Sequence, residues 1–226
     1  MAEPVPERTA RYRAEYRAGL GPRYSGRLHL GGMTLACCAV IGLSLAQVQA
    51  PQPWELATAP LWFLVANLAE YLGHRGPMHH RRPGLSRVFE RHTQQHHRFY
   101  TEDAMSGDGH RDYYITLFPP VLLGFFLGGI GAPLAALLFL VATPNAAWLF
   151  LAVVAGYFMT YEWMHLTWHA PPDSALGRLP GVSWLRRHHA AHHDPKGMLR
   201  YNFNISFPIF DLLFGTVRRR QDTPEP

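Results

Sequence analysis

No lysine or arginine occurs between Leu28 and Gly73, and none between Asp112 and Gly177. Both intervals hold apolar runs long enough to cross a bilayer, which takes roughly 20 mostly apolar residues. A soluble chain of 226 residues would need a very large core to bury them. The expected class is therefore an all-α integral membrane protein. Four crossings are predicted, at about Leu28–Val48, Leu56–Gly73, Tyr113–Thr143 and Asn145–Trp168. The third is interrupted by Pro119-Pro120 and by the run Gly128–Pro133, so it reads either as one broken crossing or as a shallow hairpin.

Four crossings put the arginine-rich segments on one face. These are the N-terminal tail 1–27, Arg75–Arg111, Arg178–Arg200 and Arg218–Arg220. By the positive-inside rule that face is cytoplasmic, with attraction to anionic headgroups as a secondary effect. The net charge of +5 is thus a topology signal. A nucleic-acid surface would interleave its basic residues with aromatics on a soluble scaffold, so no nucleic-acid partner is expected. The segments near Gln52 and Gly131 are expected on the outer side. Residues 1–27 read as a cytoplasmic tail with a short helix over Thr9–Ala18, 28–217 as the membrane domain and 218–226 as a C-terminal tail. The tail has no apolar core of the kind a secretory signal needs. Cys37 and Cys38, adjacent within an apolar run, make a poor disulfide and read as small packing residues. Arginine outnumbers lysine twenty to one, which points to a GC-rich bacterial genome and hence to a bacterial cytoplasmic membrane.

The chemistry lies in the histidines. There are fourteen, and ten fall into four clusters at the cytoplasmic ends of crossings or in the loops after them. They are His74 and His79; His92, His96 and His97; His165 and His169; and His189, His192 and His193. Neutral imidazole is the commonest side-chain metal ligand, and ten exceed what one ion can use, so the pattern predicts two metal ions. His74 and His79 are five apart, which on an unbroken α-helix points them apart. Gly76-Pro77 is expected to break the helix and present His79 from a separate turn, with His80 as a possible substitute. Leu85–Tyr100 is expected to be a helix with His92 and His96 on one face. His165 and His169 lie one turn apart, and His189, His192 and His193 share a face, although pairing with His192 could instead favour His188. A haem protein would carry its ligands within the crossings, and a metal-scavenging tract would be contiguous and low in complexity. His29 and His110 fall outside every cluster. Glu70, Glu162 and Asp194 are candidates for orienting imidazoles through their second nitrogens.

These residues resemble the fatty acid hydroxylase/sterol desaturase superfamily of membrane di-iron enzymes, closest to its fatty acid 2-hydroxylase-like branch. The histidine boxes of that superfamily run HxxxxH, HxxHH, HxxxH, HxxHH. Here HRGPMH covers His74–His79, HLTWH covers His165–His169 and HAAHH covers His189–His193. The second box departs: HTQQHH puts three residues between His92 and His96 where that branch usually has two. LFPP at Leu117–Pro120 and NFNISFPIFDLLFGT at Asn202–Thr216 are also similar. The resemblance implies a four-helix transmembrane bundle with a cytosolic helical metal-binding cap. It implies two iron ions, with zinc able to occupy the same donors, and a monooxygenase reaction with dioxygen on an acyl chain in the membrane. It also implies electrons from a reductase with a ferredoxin or small haem carrier. Sterol or carotenoid oxidation is the alternative within the superfamily, and a non-redox zinc-binding membrane protein is the alternative outside it. Trp62, Phe158, Trp163 and Trp168 could line a substrate groove or simply pack.

Overall fold

The computed structural model describes residues 5–218. The C-terminal tail expected at 218–226 therefore lies, except for Arg218, outside the described residues, as does the start of the N-terminal tail. Among the described residues the chain is helical, with no strand beyond an isolated bridge between Thr101 and Ala104. In chain order come α1 (Glu7–Ala18), α2 (Gly26–Ala46), α3 (Pro53–Gly73), a π-helical segment π1 (His74–Met78) and α4 (Ser86–Phe89). Next are π2 (Glu90–His96), α5 (His97–Phe99), α6 (Tyr113–Thr116), α7 (Pro120–Gly124), π3 (Phe125–Gly131) and α8 (Ala132–Val141). The last three are α9 (Pro144–Trp168), α10 (Val182–His192) and α11 (Ile209–Leu213). The described residues form two compact units. One gathers the segment up to Gly26, Asn67–Thr116 and the chain from Met164 on; the other comprises Arg27–Ala66 and Leu117–Trp163.

Among the described residues, three helical stretches are long and apolar enough to cross a membrane: Gly26–Ala46, Tyr113–Val141 and Pro144–Trp168. Only 17% of the apolar window of the first and 11% of that of the second is buried. Helices this apolar and this uncovered are not those of a water-soluble core. α3 is as long as α2 but is not among the three; it carries Glu55 and Glu70.

Within the second unit, Met33 and Cys37 of α2 pack on Ala155 and Phe158 of α9, with Phe118 and Phe126 around them. Ala135, Ala147 and Phe150 form a second contact, closed by Trp62. The glycine-rich run does not turn the chain back, so the shallow hairpin is not formed. It passes through π3 into α8, and the reversal comes at Ala142 and Thr143, before Pro144. Gly131, expected near the outer surface, is buried inside this helix. A Cβ there would lie 3.1 Å from the Phe126 carbonyl and 3.6 Å from Leu151, so glycine lets α9 approach. The loops before α3 and α9 are tied together by Glu55, which accepts from Thr143 Oγ1 (2.5 Å), Asn145 Nδ2 (3.0 Å) and Gln52 N (2.7 Å).

In the first unit, the expected tail helix is longer than Thr9–Ala18 and is packed rather than free. Tyr12 and Tyr16 of α1 lie against Phe99, Tyr100 and Ile115, and Arg13 is fully buried. Arginine and tyrosine carry this contact, so no apolar stripe in the sequence announces it. Leu85–Tyr100 is helical, as expected, but its winding changes through α4, π2 and α5.

Candidate metal centre

Two π-helical segments decide where the first five histidines point. On an α-helix, five residues advance to roughly 140° from the starting face. A π-helix closes its hydrogen bonds one residue later, i→i+5, so residue i+5 returns close to the face of residue i. His74 opens π1 and His79 directly follows it, and their rings lie 5.0 Å apart. Gly76-Pro77 therefore does not break the helix, as its composition suggested; the chain stays wound, in a wider turn. His92 lies within π2 and His97 directly follows it; their Nε2 atoms are 3.1 Å apart. His96, placed on a shared face with His92, has its ring stacked on that of His92 at 5.3 Å and directs its Nε2 to within 3.2 Å of His165 Nε2.

Ten imidazoles gather into two adjoining groups, all within the first unit and all buried. His74, His79, His92, His97 and His192 offer donor atoms within 4.8 Å of one another, and so do His96, His165, His169 and His189. His193 stands between them. Its Nε2 is 3.1 Å from His189 Nε2, and its ring stacks on that of His97 at 4.2 Å. The fourth cluster, read as one face, is thus divided: His192 joins one group and His189 the other.

Main-chain carbonyls set the tautomers. His74 Nδ1 donates to Phe203 O (2.5 Å), His96 to Ile115 O (3.3 Å) and His169 to Met105 O (2.9 Å). His192 donates to Tyr201 O (2.9 Å) and His193 to Tyr100 O (2.7 Å). Thr93 Oγ1 gives its proton to Met78 O and so accepts from His79 Nδ1 (3.2 Å). A carbonyl only accepts, so each of these rings carries its proton on Nδ1 and a bare lone pair on Nε2. His79 Nε2 and His192 Nε2 then face each other at 2.9 Å, lone pair to lone pair. Only a shared cation makes that contact favourable. A proton is the poorer candidate, because burial pushes both imidazoles well below their ordinary basicity. The donor set fits a metal ion held by neutral imidazoles.

Burial also brings His74 and His193 down to about 3. An imidazole whose folded value is depressed binds fewer protons than in the unfolded chain, where it titrates near 6.5. Metal-stripped protein should therefore lose stability as pH falls below about 6.5 and go on losing it towards about 3. Thermal unfolding in detergent across that range tests this, and a midpoint independent of pH there would contradict it.

The profile of one protein family, fatty acid hydroxylase, matches residues 59–216 and so includes all ten of these histidines. The chain belongs to the fatty acid hydroxylase family. No curated protein and no solved structure matches it. The departure in the second histidine box of this fatty acid hydroxylase family member now has a physical reading. The extra residue is taken up by the wider turn of π2, which keeps His92 and His97 together. Deleting the exposed Gln94 makes that pair i,i+4, which an ordinary α-turn serves equally well. The shortened protein should keep its metal, whereas one further residue inserted there should lose it; metal analysis of the two variants decides.

Other candidates take different places. His188 points away from both groups, with its Nε2 3.4 Å from Asp211 Oδ2. His80 is exposed and donates to Arg75 O (2.9 Å), and His29 Nε2 lies 3.0 Å from Phe118 O. His110 is in neither group. Of the expected orienting acids, Glu70 accepts from the backbone N–H groups of Ile205 and Ser206 and from the Ser206 hydroxyl. Glu162 accepts from Phe118 N. Asp194 accepts from Lys196 N and Arg218 rather than from an imidazole; burial alone would raise its pKa, but these partners hold it below the usual value. Asp211, which the sequence did not single out, supports the centre through the backbone. It accepts from Phe203 N (2.9 Å), Asn204 N (2.7 Å) and Thr216 Oγ1 (2.7 Å), and so fixes the segment whose carbonyl orients His74. Its one sequence signal is its place within the Asn202–Thr216 motif. The four aromatics that could line a groove have packing roles here. Trp62 lies edge-on to Phe150, Phe158 is in the α2–α9 contact, and Trp163 and Trp168 donate to Thr34 Oγ1 and Ile205 O.

Proposed function

We propose that this protein is a membrane di-iron oxygenase that hydroxylates a C–H bond of a fatty acid or acyl lipid, close to the 2-hydroxylase-like branch of its family. The observation that carries the reading is the pair of adjoining all-imidazole groups with their Nε2 lone pairs turned inward. His74, His79, His92, His97 and His192 would hold one ion and His96, His165, His169 and His189 the other, with His193 beside them. Bound iron would supply the redox chemistry: with dioxygen, two external electrons and two protons from solvent, one oxygen atom enters the C–H bond and the other leaves as water. Imidazole accepts zinc as readily as iron, but zinc cannot change oxidation state and would leave this reaction undone.

The chain's own residues do the rest. Main-chain carbonyls orient the rings of His74, His96, His169, His192 and His193 and keep their bare nitrogens pointing inward. Burial keeps competing protons off those nitrogens. The apolar helices would seat the protein in the bilayer, where acyl chains reside.

Four crossings, formed by α2, α3, Tyr113–Val141 and α9, leave the histidine-bearing unit on the cytoplasmic side as a cap, in a bacterial cytoplasmic membrane. A reductase with a ferredoxin or small haem carrier would meet that arginine-rich side. Single-cysteine probes at Gln52 and Ala142 should then react with an impermeant reagent from outside intact cells, and probes at Ser106 and Ser183 should not. Reaction at Ser106 would sink the topology.

The function itself is tested by iron quantitation and lipid mass spectrometry on membranes with and without expression. A lipid heavier by one oxygen supports hydroxylation of an acyl chain. An oxidised sterol or carotenoid would move the substrate within the superfamily. Stoichiometric zinc with an unchanged lipidome would refute the oxygenase.

A further inference from the structure

The loop from Tyr100 to Asp112 carries two of the carbonyls that orient imidazoles. Tyr100 O receives His193 Nδ1 and Met105 O receives His169 Nδ1. Yet the loop has little regular structure of its own. Among its backbone bonds are Ala104 N to Thr101 O, Asp112 N to Gly109 O, and Gly107 N to His169 O. An irregular stretch beside a metal centre needs an outside tie to hold its peptide planes.

That tie comes from α1, which lies outside the residues 59–216 matched by the family profile. Arg13, 1% exposed, extends its guanidinium into the loop and donates to three main-chain oxygens. Nε reaches Phe99 O (2.8 Å), Nη2 reaches Ala104 O (2.5 Å) and Nη1 reaches Ser106 O (3.0 Å). These three carbonyls bracket the two that orient His193 and His169: Phe99 precedes Tyr100, and Ala104 and Ser106 flank Met105. Neighbouring contacts hold the frame. Arg17 binds Asp112 through two bonds (2.7 and 2.8 Å), and Arg186 donates to Ser106 Oγ (2.8 Å). The Tyr100 ring also stacks on the His169 ring at 3.8 Å.

We propose that Arg13 is a positioning residue for the His96–His165–His169–His189 group: its three-pronged guanidinium fixes the Tyr100 and Met105 carbonyls and, through them, the rings of His193 and His169. This rests on the metal reading above. A lysine ammonium cannot reproduce a planar fork spread over three acceptors. A methionine leaves all three carbonyls without a donor. The other group takes its carbonyls from Phe203 and Tyr201, which Arg13 does not touch, so the effect falls on one ion and spares the other.

The test uses cobalt(II), whose ligand-field absorption reports its donors without turnover. Full-length protein in detergent is prepared as wild type, Arg13→Lys, Arg13→Met and Arg11→Ala. Arg11 is the control because its partner on the same helix, Glu15, is 3.9 Å away and exposed. The absorption lost in His169→Ala marks the ion of interest. The expected result is that Arg13→Met keeps its helix content and one slowly released cobalt. The marked ion passes to a chelator roughly 10–100-fold faster, the usual scale for removing an outer partner of a metal ligand. Arg13→Lys should fall between, and it carries the test alone if the methionine variant does not fold. Arg11→Ala should match wild type. Release of both ions at wild-type rates from the Arg13 variants overturns the proposal, and so does equal acceleration of both ions. Wild type that takes up no cobalt overturns the metal reading itself, and this inference with it.

Discussion

Alanine at His169 should abolish product and lower the bound metal from two ions per chain to one. His169 belongs to the smaller group, four donors against five, so its loss leaves three imidazoles where the other group would keep four. Its ring is also fixed on two sides, by Met105 O and by the Tyr100 ring, and the neighbouring His193 is held in its own place by Tyr100 O. Losing an outer partner of a ligand typically costs roughly 10–100-fold in metal affinity or activity, and losing the ligand should cost at least the upper end of that range. His80→Ala, exposed and bonded to a backbone oxygen, should leave both quantities near wild type. Metal analysis and lipid turnover on the two variants decide; a His169→Ala protein with full metal and product would remove His169 from the centre.

Alanine at Asp211 should have the largest effect on stability of any change outside the ten imidazoles. Its carboxylate is fully buried and accepts two backbone N–H groups and a hydroxyl. Truncation strands Phe203 N and Asn204 N inside the protein. A buried donor without an acceptor costs about 1–3 kcal/mol, so the pair should cost several. Because Phe203 O receives His74 Nδ1, the five-imidazole group should also release its metal faster. Asparagine keeps one acceptor oxygen and should be milder on both counts. A thermal midpoint within a degree of wild type for the alanine variant would show that the 203–204 turn is held by something else.

Much of this protein can be read from side-chain identity alone. The stretches without lysine or arginine mark the long helices, and the spacing of the histidines marks all ten that gather at the centre. Three things escape such a reading. The winding of π1 and π2 is one: residue preferences suit an α-turn and a π-turn alike, so His79, expected from a separate turn after a helix break, is instead carried by continuous π-winding. Another is the division of His189 and His192 between two groups, which depends on neighbours distant in sequence. The third is the place of the charges. Arg13 looks like part of a solvated tail and is buried, and Glu70 looks like a partner for His74 but binds the backbone at 205–206. Charged residues whose partners are main-chain atoms leave no pairing pattern in a sequence.

The imidazoles of His193, His169, His96, His192 and His74 donate hydrogen bonds to main-chain oxygens, at Tyr100, Met105, Ile115, Tyr201 and Phe203. A peptide oxygen has no codon. The side chain at Met105 or Ile115 can drift through related residues while the acceptor stays, so this outer layer is largely hidden from substitution and cannot be removed by it. Alanine scanning will meet these carbonyls only through the side chains that hold them, such as Arg13 and Asp211. Backbone chemistry sees it differently: an ester placed after Met105 weakens the carbonyl that receives His169, at the cost of the Ser106 N–H, and leaves every side chain in the protein untouched.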